Sequence, residues 1–133
     1  MNIRYTEDRS FTAEQLEELF LSVEWESGRY PERLHKALNT CETVITAWDG
    51  DRLVGLINAI DDGSMTAYVH YLLVHPDYQN QQIGKTLTEM TKEKYRDHMY
   101  FFLVAEHKPL VEFYQKLGFT AMGERTIMAI SNP

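Results

Sequence analysis

The stretch of residues 71–85 holds the backbone groups best suited to binding a charged ligand. An apolar run reaches Pro76, and a helical pattern resumes near Gln82. The first amide N–H groups of a helix have no acceptor within the helix, and the helix dipole adds positive potential there. Gly84 would let an anion approach the backbone closely. The turn has the groups to bind a phosphate or pyrophosphate, although every strand–turn–helix junction has some of this character and the turn alone is weak evidence.

Two phrases of the sequence resemble the GCN5-related N-acetyltransferases, or GNAT family. In that family a strand with a Leu-x-Val-x-Pro-like ending precedes the phrase Gln/Arg-x-x-Gly-x-Gly/Ala, and the matching positions here are Leu72, Val74, Pro76, Tyr78, Gln79 and Gly84. Residues 112–119 are similar to the family's fourth helix, which ends in Tyr-x-x-x-Gly-Phe. The order of elements also matches over essentially the whole chain. The resemblance implies an α/β (α+β) fold with a mixed central sheet and helices on both faces.

The resemblance also implies acetyl-CoA as the acetyl donor and a primary amine, on a small molecule or a peptide, as the acceptor. The strand backbone would hold the pantetheine arm and polarise the acetyl carbonyl, through Leu72, Leu73 and Val74. The following turn would hold the pyrophosphate through Gln79, Asn80, Gln81, Gln82, Ile83, Gly84, Lys85 and Thr86. The Lys85 side chain could contact the phosphates or simply be solvated.

Tyr114 and His70 are the candidate catalytic side chains. A phenol with a reference pKa of about 10 stays protonated at neutral pH, so Tyr114 can donate to the departing CoA thiolate as general acid. The alternative is a core aromatic on one stripe with Leu110 and Leu117. His70 titrates in the range of a general base for the amine, or is a hydrogen-bonded structural residue. No sequence motif marks Cys41 as a nucleophile, so direct attack in a ternary complex is expected.

Two groups of residues are candidates for the acceptor site. Tyr68, His70 and Leu72 are expected to alternate along one strand face that points at the cleft. Trp25, Glu26 and Tyr30 belong to a loop rich in aromatic and acidic groups. They could form a cation-binding wall. Alternatively the aromatic side chains cover the core while the glutamates face water.

Two positions depart from the family pattern. Gln82 stands where the first glycine of the signature is usual, and a positive φ there would cost about 1 kcal/mol or more. Because Gln is a fair helix former, we expect Gln82 to be helical and harmless. His107 stands where the family commonly has an Asn that contacts the cofactor arm, which argues against cofactor contact by His107. These departures motivate an alternative function, a CoA-binding or sensing module without catalysis.

Composition limits the other classes of function. With 133 residues and no repeat or linker, we expect one domain over residues 1–133. The net charge of −7 disfavours nucleic acid and anionic lipid as partners. No apolar run is long enough for a membrane span, and with a single cysteine we expect a cytoplasmic protein. The five histidines show no metal-ligand spacing with cysteine, so no metal is predicted. The resemblance also implies that exposed edges of the last strands could pair two copies into a homodimer.

The elements that position these residues follow from hydrophobic periodicity and turn signals. Strands are predicted at residues 2–6, 43–48, 53–60, 65–74, 99–105 and in one or two pieces within 119–130. Helices are predicted from a Thr12 cap, over 31–38, over 83–95 and up to Gly118. The first strands should pair antiparallel through Asp-Gly hairpins. The strand at 65–74, the following helix and the apolar run at 99–105 should form a parallel βαβ unit.

Overall fold

The computed structural model describes residues 2–133, which fold around one five-stranded sheet. The strands are β1 (Arg4–Thr6), β2 (Thr43–Asp49), β3 (Arg52–Asp61), β4 (Thr66–Val74) and β5 (Tyr100–Phe102). The helices are α1 (Ala13–Ser22), α2 (Pro31–Thr40), α3 (Ile83–Lys94) and α4 (Lys108–Lys116). Two 3₁₀ turns, Glu26–Arg29 and Pro76–Tyr78, lie in the connections.

The sheet is mixed, as predicted. Its strands follow chain order, β1-β2-β3-β4-β5. The first four pair antiparallel, while β5 pairs parallel to β4 after the α3 crossover. The predicted antiparallel strands and βαβ unit are therefore confirmed.

Helices cover both faces of the sheet, and each face has its own cluster of buried apolar side chains. On one face α1 and α2 pack against the sheet through side chains that include Phe20, Leu38 and Leu56. On the other face α3 contributes Ile83 and Leu87. Gly55 of β3 lets α3 come this close, because a Cβ at that position would lie 2.9 Å from the Ile83 side chain.

Local signals in the sequence explain several element boundaries. Thr12 and Gln15 form a reciprocal capping box at the start of α1. A two-residue loop, Gly50-Asp51, joins β2 to β3, and Gly50 has φ +60°. Between β3 and β4, the Asp62 carboxylate accepts hydrogen bonds from the Ser64, Met65 and Thr66 amides. These bonds lower the pKa of Asp62.

The last part of the chain differs from the prediction. No strand is found within residues 119–133, and β5 is only three residues long. A continuous apolar run predicts burial, but Met99 and Tyr100 are exposed because β5 is the final strand of the sheet and only Thr66–Tyr68 pairs with it. Chain periodicity alone does not reveal whether a strand has a second neighbour.

The buried stripe of α3 also differs in one position. Ile83, Leu87 and Tyr95 are buried as predicted, whereas Met90 is 37% exposed. Thr91 takes the inward position instead, and its hydroxyl donates to the Leu87 carbonyl at 2.8 Å. This bond to the preceding turn lets a polar side chain occupy the core.

None of the helices within residues 2–133 has the length and apolar character of a membrane span.

Candidate functional site

β4 and β5 separate midway along β4. Pairing is confined to Thr66–Tyr68 of β4 and Tyr100–Phe102 of β5. From Val69 to Val74, β4 has no strand partner on that side within the described residues. Backbone N–H and C=O groups of successive strand residues point to opposite edges, and the His75 amide points toward β3, where it bonds to the Val54 carbonyl. By this alternation the groups of Leu72 and Val74 face the open edge, where they can pair with an extended ligand arm, while those of Leu73 face β3.

A β-bulge at His70 and Tyr71 interrupts β4 at the same level. Ile57 of β3 is opposite Leu72 while Ala59 is opposite Val69, so β4 has one extra residue. Asn58 fills the gap in the ladder, because its side-chain oxygen accepts a hydrogen bond from the Tyr71 amide at 2.8 Å.

The bulge overturns the predicted alternation of Tyr68, His70 and Leu72. Tyr68 and His70 share a face with Tyr71, since the His70 ring stacks on Tyr71 at 4.0 Å and lies 6.1 Å from Tyr68. Leu72 packs into the α3 core on the opposite face. An extra residue reverses the side-chain alternation beyond it.

The turn after β4 presents an uncapped helix start. No side chain caps α3, and its first turn has no acidic residue. The first helical hydrogen bond of α3 runs from the Thr86 amide to the Gln82 carbonyl at 2.9 Å. The preceding amides of Ile83, Gly84 and Lys85 are thus available to an anion.

The prediction that Gln82 is helical is wrong. Gln82 has φ 66° and ψ 11°, in the left-handed region, and serves as the N-cap of α3. Asn80 is left-handed as well, with φ 64°. We call residues 79–86 the phosphate turn, after the ligand predicted for them. At position 82 this turn has the backbone conformation that favours glycine, and the Gln82 side chain is exposed. Helix propensity failed here because the residue precedes the first helical position.

The β2–β3 hairpin anchors the phosphate turn. The Arg52 guanidinium lies 3.1 Å from His75 Nε2 and 5.7 Å from the centre of the Tyr78 ring. The Tyr78 hydroxyl donates to Asp49 at 2.5 Å, and the hydrogen bond to this carboxylate raises the pKa of Tyr78. Glu18 on α1 completes the group with an ion pair to Arg52 at 3.2 Å.

His75 is buried. Its Nδ1 accepts from the Asp77 amide at 3.1 Å, so the ring caps the 3₁₀ turn that precedes the phosphate turn. A neutral imidazole has one acceptor nitrogen, so its contacts with Asp77 and Arg52 cannot both be hydrogen bonds at the same time. The backbone amide of His75 also bonds to the Val54 carbonyl at 2.8 Å.

Tyr114 lies on α4, the helix that packs beside the phosphate turn. The neighbouring Phe113 side chain comes within 3.8 Å of the position a Cβ would occupy on Gly84. Tyr114 is buried and its hydroxyl has no hydrogen-bond partner among residues 2–133. Desolvation raises its pKa to about 12. A buried phenol with an unused donor fits the predicted acid, and its packing also fits the core alternative.

A cavity of about 820 Å³ opens where β4 and β5 separate. Tyr68 and Tyr114 both line it, together with β5, α4 and the segment after α4. The phosphate turn is not part of its wall. The cavity therefore lies at the end of the site that contains Tyr114 and Tyr68, and the turn lies at the other end.

The remaining predicted residues lie around these two ends. Desolvation lowers the pKa of His70 and raises that of Tyr68. Trp25 packs against the α1–α2 core and lies 5.9 Å from Tyr71, whereas Tyr30 is 39% exposed and Glu26 is exposed. Trp25 and Glu26 thus agree with the interpretation in which aromatic side chains cover the core and glutamates face water, while the cation-binding wall stays a prediction.

Two of the charged or polar candidates are directed elsewhere. Lys85 is exposed and lies 3.9 Å from Glu89 on the same helix. His107 is exposed and precedes α4 without capping it.

Sequence reasoning missed Asn58 and Arg52, whose roles depend on pairing across the sheet. Within residues 2–133, His, Cys, Asp and Glu side chains form no group of three suited to a metal ion.

Comparisons with known proteins agree with this geometry. Residues 7–130 match the family model described as the acetyltransferase (GNAT) domain. The uncharacterized N-acetyltransferase ycf52-like of Prochlorococcus marinus is 29% identical over 121 residues, covering 87% of this chain and 67% of that protein. A GNAT-family acetyltransferase structure from Streptococcus pneumoniae is 30% identical with a TM-score of 0.81, covering 98% of this chain and 97% of that one.

A further solved structure resembles the chain in fold alone. It is an aminoglycoside 6'-N-acetyltransferase complexed with coenzyme A, 24% identical with a TM-score of 0.70. The alignment covers 89% of this chain and 84% of that one.

Proposed function

The chain belongs to the GNAT acetyltransferase family, and from that premise we propose that it transfers an acetyl group from acetyl-CoA to a primary amine. The observation that carries the proposal is the separation of β4 from β5 between Tyr114 and the uncapped start of α3. Acetyl-CoA would lie along this opening. The backbone groups of Leu72 and Val74 would pair with the pantetheine arm, and residues 79–86 would hold the pyrophosphate.

The reaction is direct attack of the amine on the thioester. The amine nitrogen forms a bond to the carbonyl carbon, and the carbon–sulfur bond then breaks to release the CoA thiolate. Backbone N–H groups on the open edge of β4 would stabilise the negative charge that develops on the carbonyl oxygen. The products are an N-acetylated amine and CoA.

Tyr114 would act on the leaving sulfur. With a pKa of about 12, its hydroxyl is protonated at every working pH, yet it is a weaker acid than a thiol of pKa about 8.5. The phenol therefore stabilises the thiolate by donating a hydrogen bond and does not need to surrender its proton completely. Because the hydroxyl has no other partner among the described residues, this donation breaks no existing bond.

His70 would accept the proton that the amine loses. Desolvation lowers the pKa of His70, so its ring is neutral at pH 7 and able to act as a base. The acceptor would lie on the β4 face shared by His70 and Tyr68. Trp25, in the loop between α1 and α2, borders that face at 5.9 Å from the Tyr71 ring, and Glu26 and Tyr30 of the same loop would contribute to the acceptor site.

Thermal unfolding in the presence of acetyl-CoA tests the proposal. A ligand at about 100 times its dissociation constant adds about 2.7 kcal/mol to the free energy of unfolding. We expect a clear upward shift, followed by thiol release with at least one amine of a panel. Absence of a shift at millimolar acetyl-CoA would reject the donor site.

A catalytically inactive CoA-binding module is the second candidate. The exposed Gln82 side chain, held in a left-handed conformation beside the phosphate turn, favours it. Such a module would show the thermal shift without releasing thiol when amines are added. Thiol release with any amine would eliminate this candidate.

A further inference from the structure

Within residues 2–133, a single hydrogen bond joins α4, the helix that contains Tyr114, to the rest of the protein. The Lys92 ammonium group on α3 donates to the Leu117 carbonyl at 2.6 Å, and this bond is partly buried. No other hydrogen bond or ion pair among the described residues joins residues 108–117 to a residue outside 107–119. The position of α4 therefore depends on apolar packing and on this one bond.

Aromatic rings also hold α4 in place. The ring centres of Tyr114 and Phe119 are 5.6 Å apart, and Phe119 lies 5.5 Å from Phe101 of β5. Burial of apolar surface has no preferred direction, whereas a hydrogen bond weakens steeply when its geometry changes. The bond from Lys92 is therefore the directional contact that fixes the end of α4.

Lys92 holds the turn of α4 to which Tyr114 belongs. The last carbonyl groups of a helix have no partner within it, and the helix dipole favours a cation there. The amides of Leu117 and Phe119 both bond to the Tyr114 carbonyl, at 3.0 and 3.1 Å. Gly118 leaves room for the ammonium group, because a Cβ on Gly118 would lie 3.3 Å from Lys92 Nζ. A shift of this turn would move Tyr114 with it.

We propose that Lys92 is a positioning residue for Tyr114, which it places against the leaving sulfur by holding the end of α4 on α3. This inference rests on the proposed function, because it assigns a role in the same reaction. Lys92 and Tyr114 line the same cavity, and the phosphate turn is not part of its wall. About 13 Å of helix separates Lys92 from Ile83 at the start of α3. Loss of the bond should therefore affect the acid and leave the pyrophosphate site unchanged.

Lys92→Met tests the inference, because it removes the donor and keeps an unbranched side chain. We expect kcat for thiol release to fall by about three- to tenfold, with KM for acetyl-CoA within about twofold. Lys92→Arg should restore most of kcat, since a guanidinium group can also donate to the Leu117 carbonyl. Lys94→Met is the matched control, because it removes an ion pair with Glu7 from the same helix and should leave kcat unchanged.

The Tyr114→Phe background separates positioning of the acid from a general loss of structure. Once the hydroxyl is absent its position no longer matters, so adding Lys92→Met should change kcat by about twofold or less. If the full loss persists in this background, Lys92 acts by another route and the inference is wrong. If Tyr114→Phe lowers kcat while Lys92→Met does not, the inference alone fails. If Tyr114→Phe leaves kcat unchanged, the acid role in the proposed function fails and Lys92 has no acid to position.

Amide hydrogen exchange gives a readout that needs no acceptor. The Leu117 and Phe119 amides should exchange about threefold faster or more in Lys92→Met than in Lys94→Met, because the turn that holds them loses its contact with α3. Equal exchange in the two variants overturns the inference even if no amine is acetylated. Faster exchange in Lys92→Met alone supports the role of Lys92 in holding α4, and in that case a failure to acetylate any amine counts against the proposed function only.

Discussion

The Asn58 side chain takes the place of a strand partner for Tyr71, accepting its amide hydrogen bond at 2.8 Å. Asn58 is buried, so the oxygen cannot be replaced there by bulk water. This single bond holds the bulge, and the bulge determines which face of the sheet each later side chain of β4 points to. It therefore connects the sheet pairing to the arrangement of His70, Tyr71 and Leu72.

Replacement of Asn58 by Leu should destabilise the protein by about 1–3 kcal/mol, because the Tyr71 amide would lose its acceptor. Thermal unfolding should show a fall in Tm of several degrees. Asn39→Leu makes the same change on the exposed side of α2 and should alter stability by about 0.5 kcal/mol or less. An unchanged Tm in Asn58→Leu would mean that the bulge is held by other contacts.

The sequence predicted local structure well because the signals that define it are local. The capping residue Thr12, the turn residues Gly50 and Asp62, and the helix-ending Gly118 act within a few residues of their own position. Gly118 has φ +99°, and the Phe119 amide bonds to the Tyr114 carbonyl at 3.1 Å, which is the predicted glycine-ended helix.

Features that depend on pairing across the sheet were not predictable in this way. The bulge at His70 needs β3 opposite it, and the exposure of Tyr100 depends on the absence of a strand beyond β5 among the described residues. The left-handed Gln82 was missed for a different reason. Its conformation is set by the junction between the 3₁₀ turn and α3, whereas helix propensity describes residues inside a helix.

Gln82→Gly should stabilise the protein. A left-handed conformation costs an L-residue about 1–2 kcal/mol, and glycine avoids this cost while losing more entropy on folding. We expect a net gain of up to about 1 kcal/mol in the free energy of unfolding, measured by chemical denaturation. Gln81→Gly, at a neighbouring position without positive φ, should give no gain. Equal effects of the two substitutions would contradict the strain at Gln82.

Tyr114→Phe should lower kcat by about 100-fold while acetyl-CoA still raises Tm. The substitution removes only the hydroxyl, which has no partner among residues 2–133, so the fold should tolerate the loss. Steady-state thiol release gives kcat. Tyr100→Phe makes the same change on the wall of the same cavity and should leave kcat within about twofold. A similar loss in both variants would argue against a specific role for Tyr114.

The pH dependence of kcat should distinguish His70 from Tyr114. Because desolvation lowers the pKa of His70 below 6.5, kcat should fall only as pH drops below that value and the ring becomes protonated. The pKa of Tyr114 is about 12, so its ionisation should cause no loss up to pH about 10. A pH series on His70→Gln provides the check. If its acid limb matches that of the unsubstituted protein, another group accepts the proton.

Arg52→Met should raise KM for acetyl-CoA more than it lowers kcat. Arg52 connects Glu18, His75 and Tyr78, and none of these contacts reaches the end of the site that holds Tyr114 and the cavity. Losing them would loosen the phosphate turn relative to the sheet. Each hydrogen bond contributes about 0.5–1.5 kcal/mol, so KM should rise by about two- to tenfold.

The matched control for Arg52 is Arg9→Met. Arg9 donates to the Leu38 and Glu42 carbonyls at 3.1 Å, which ties the chain before α1 to the end of α2. Both substitutions remove an arginine that joins two elements, and both should lower Tm. Only the change at Arg52 should alter KM for acetyl-CoA, because only Arg52 touches residues that lead into the turn. If Arg9→Met raises KM equally, the effect is a general loss of stability, and Arg52 has no special part in positioning the turn.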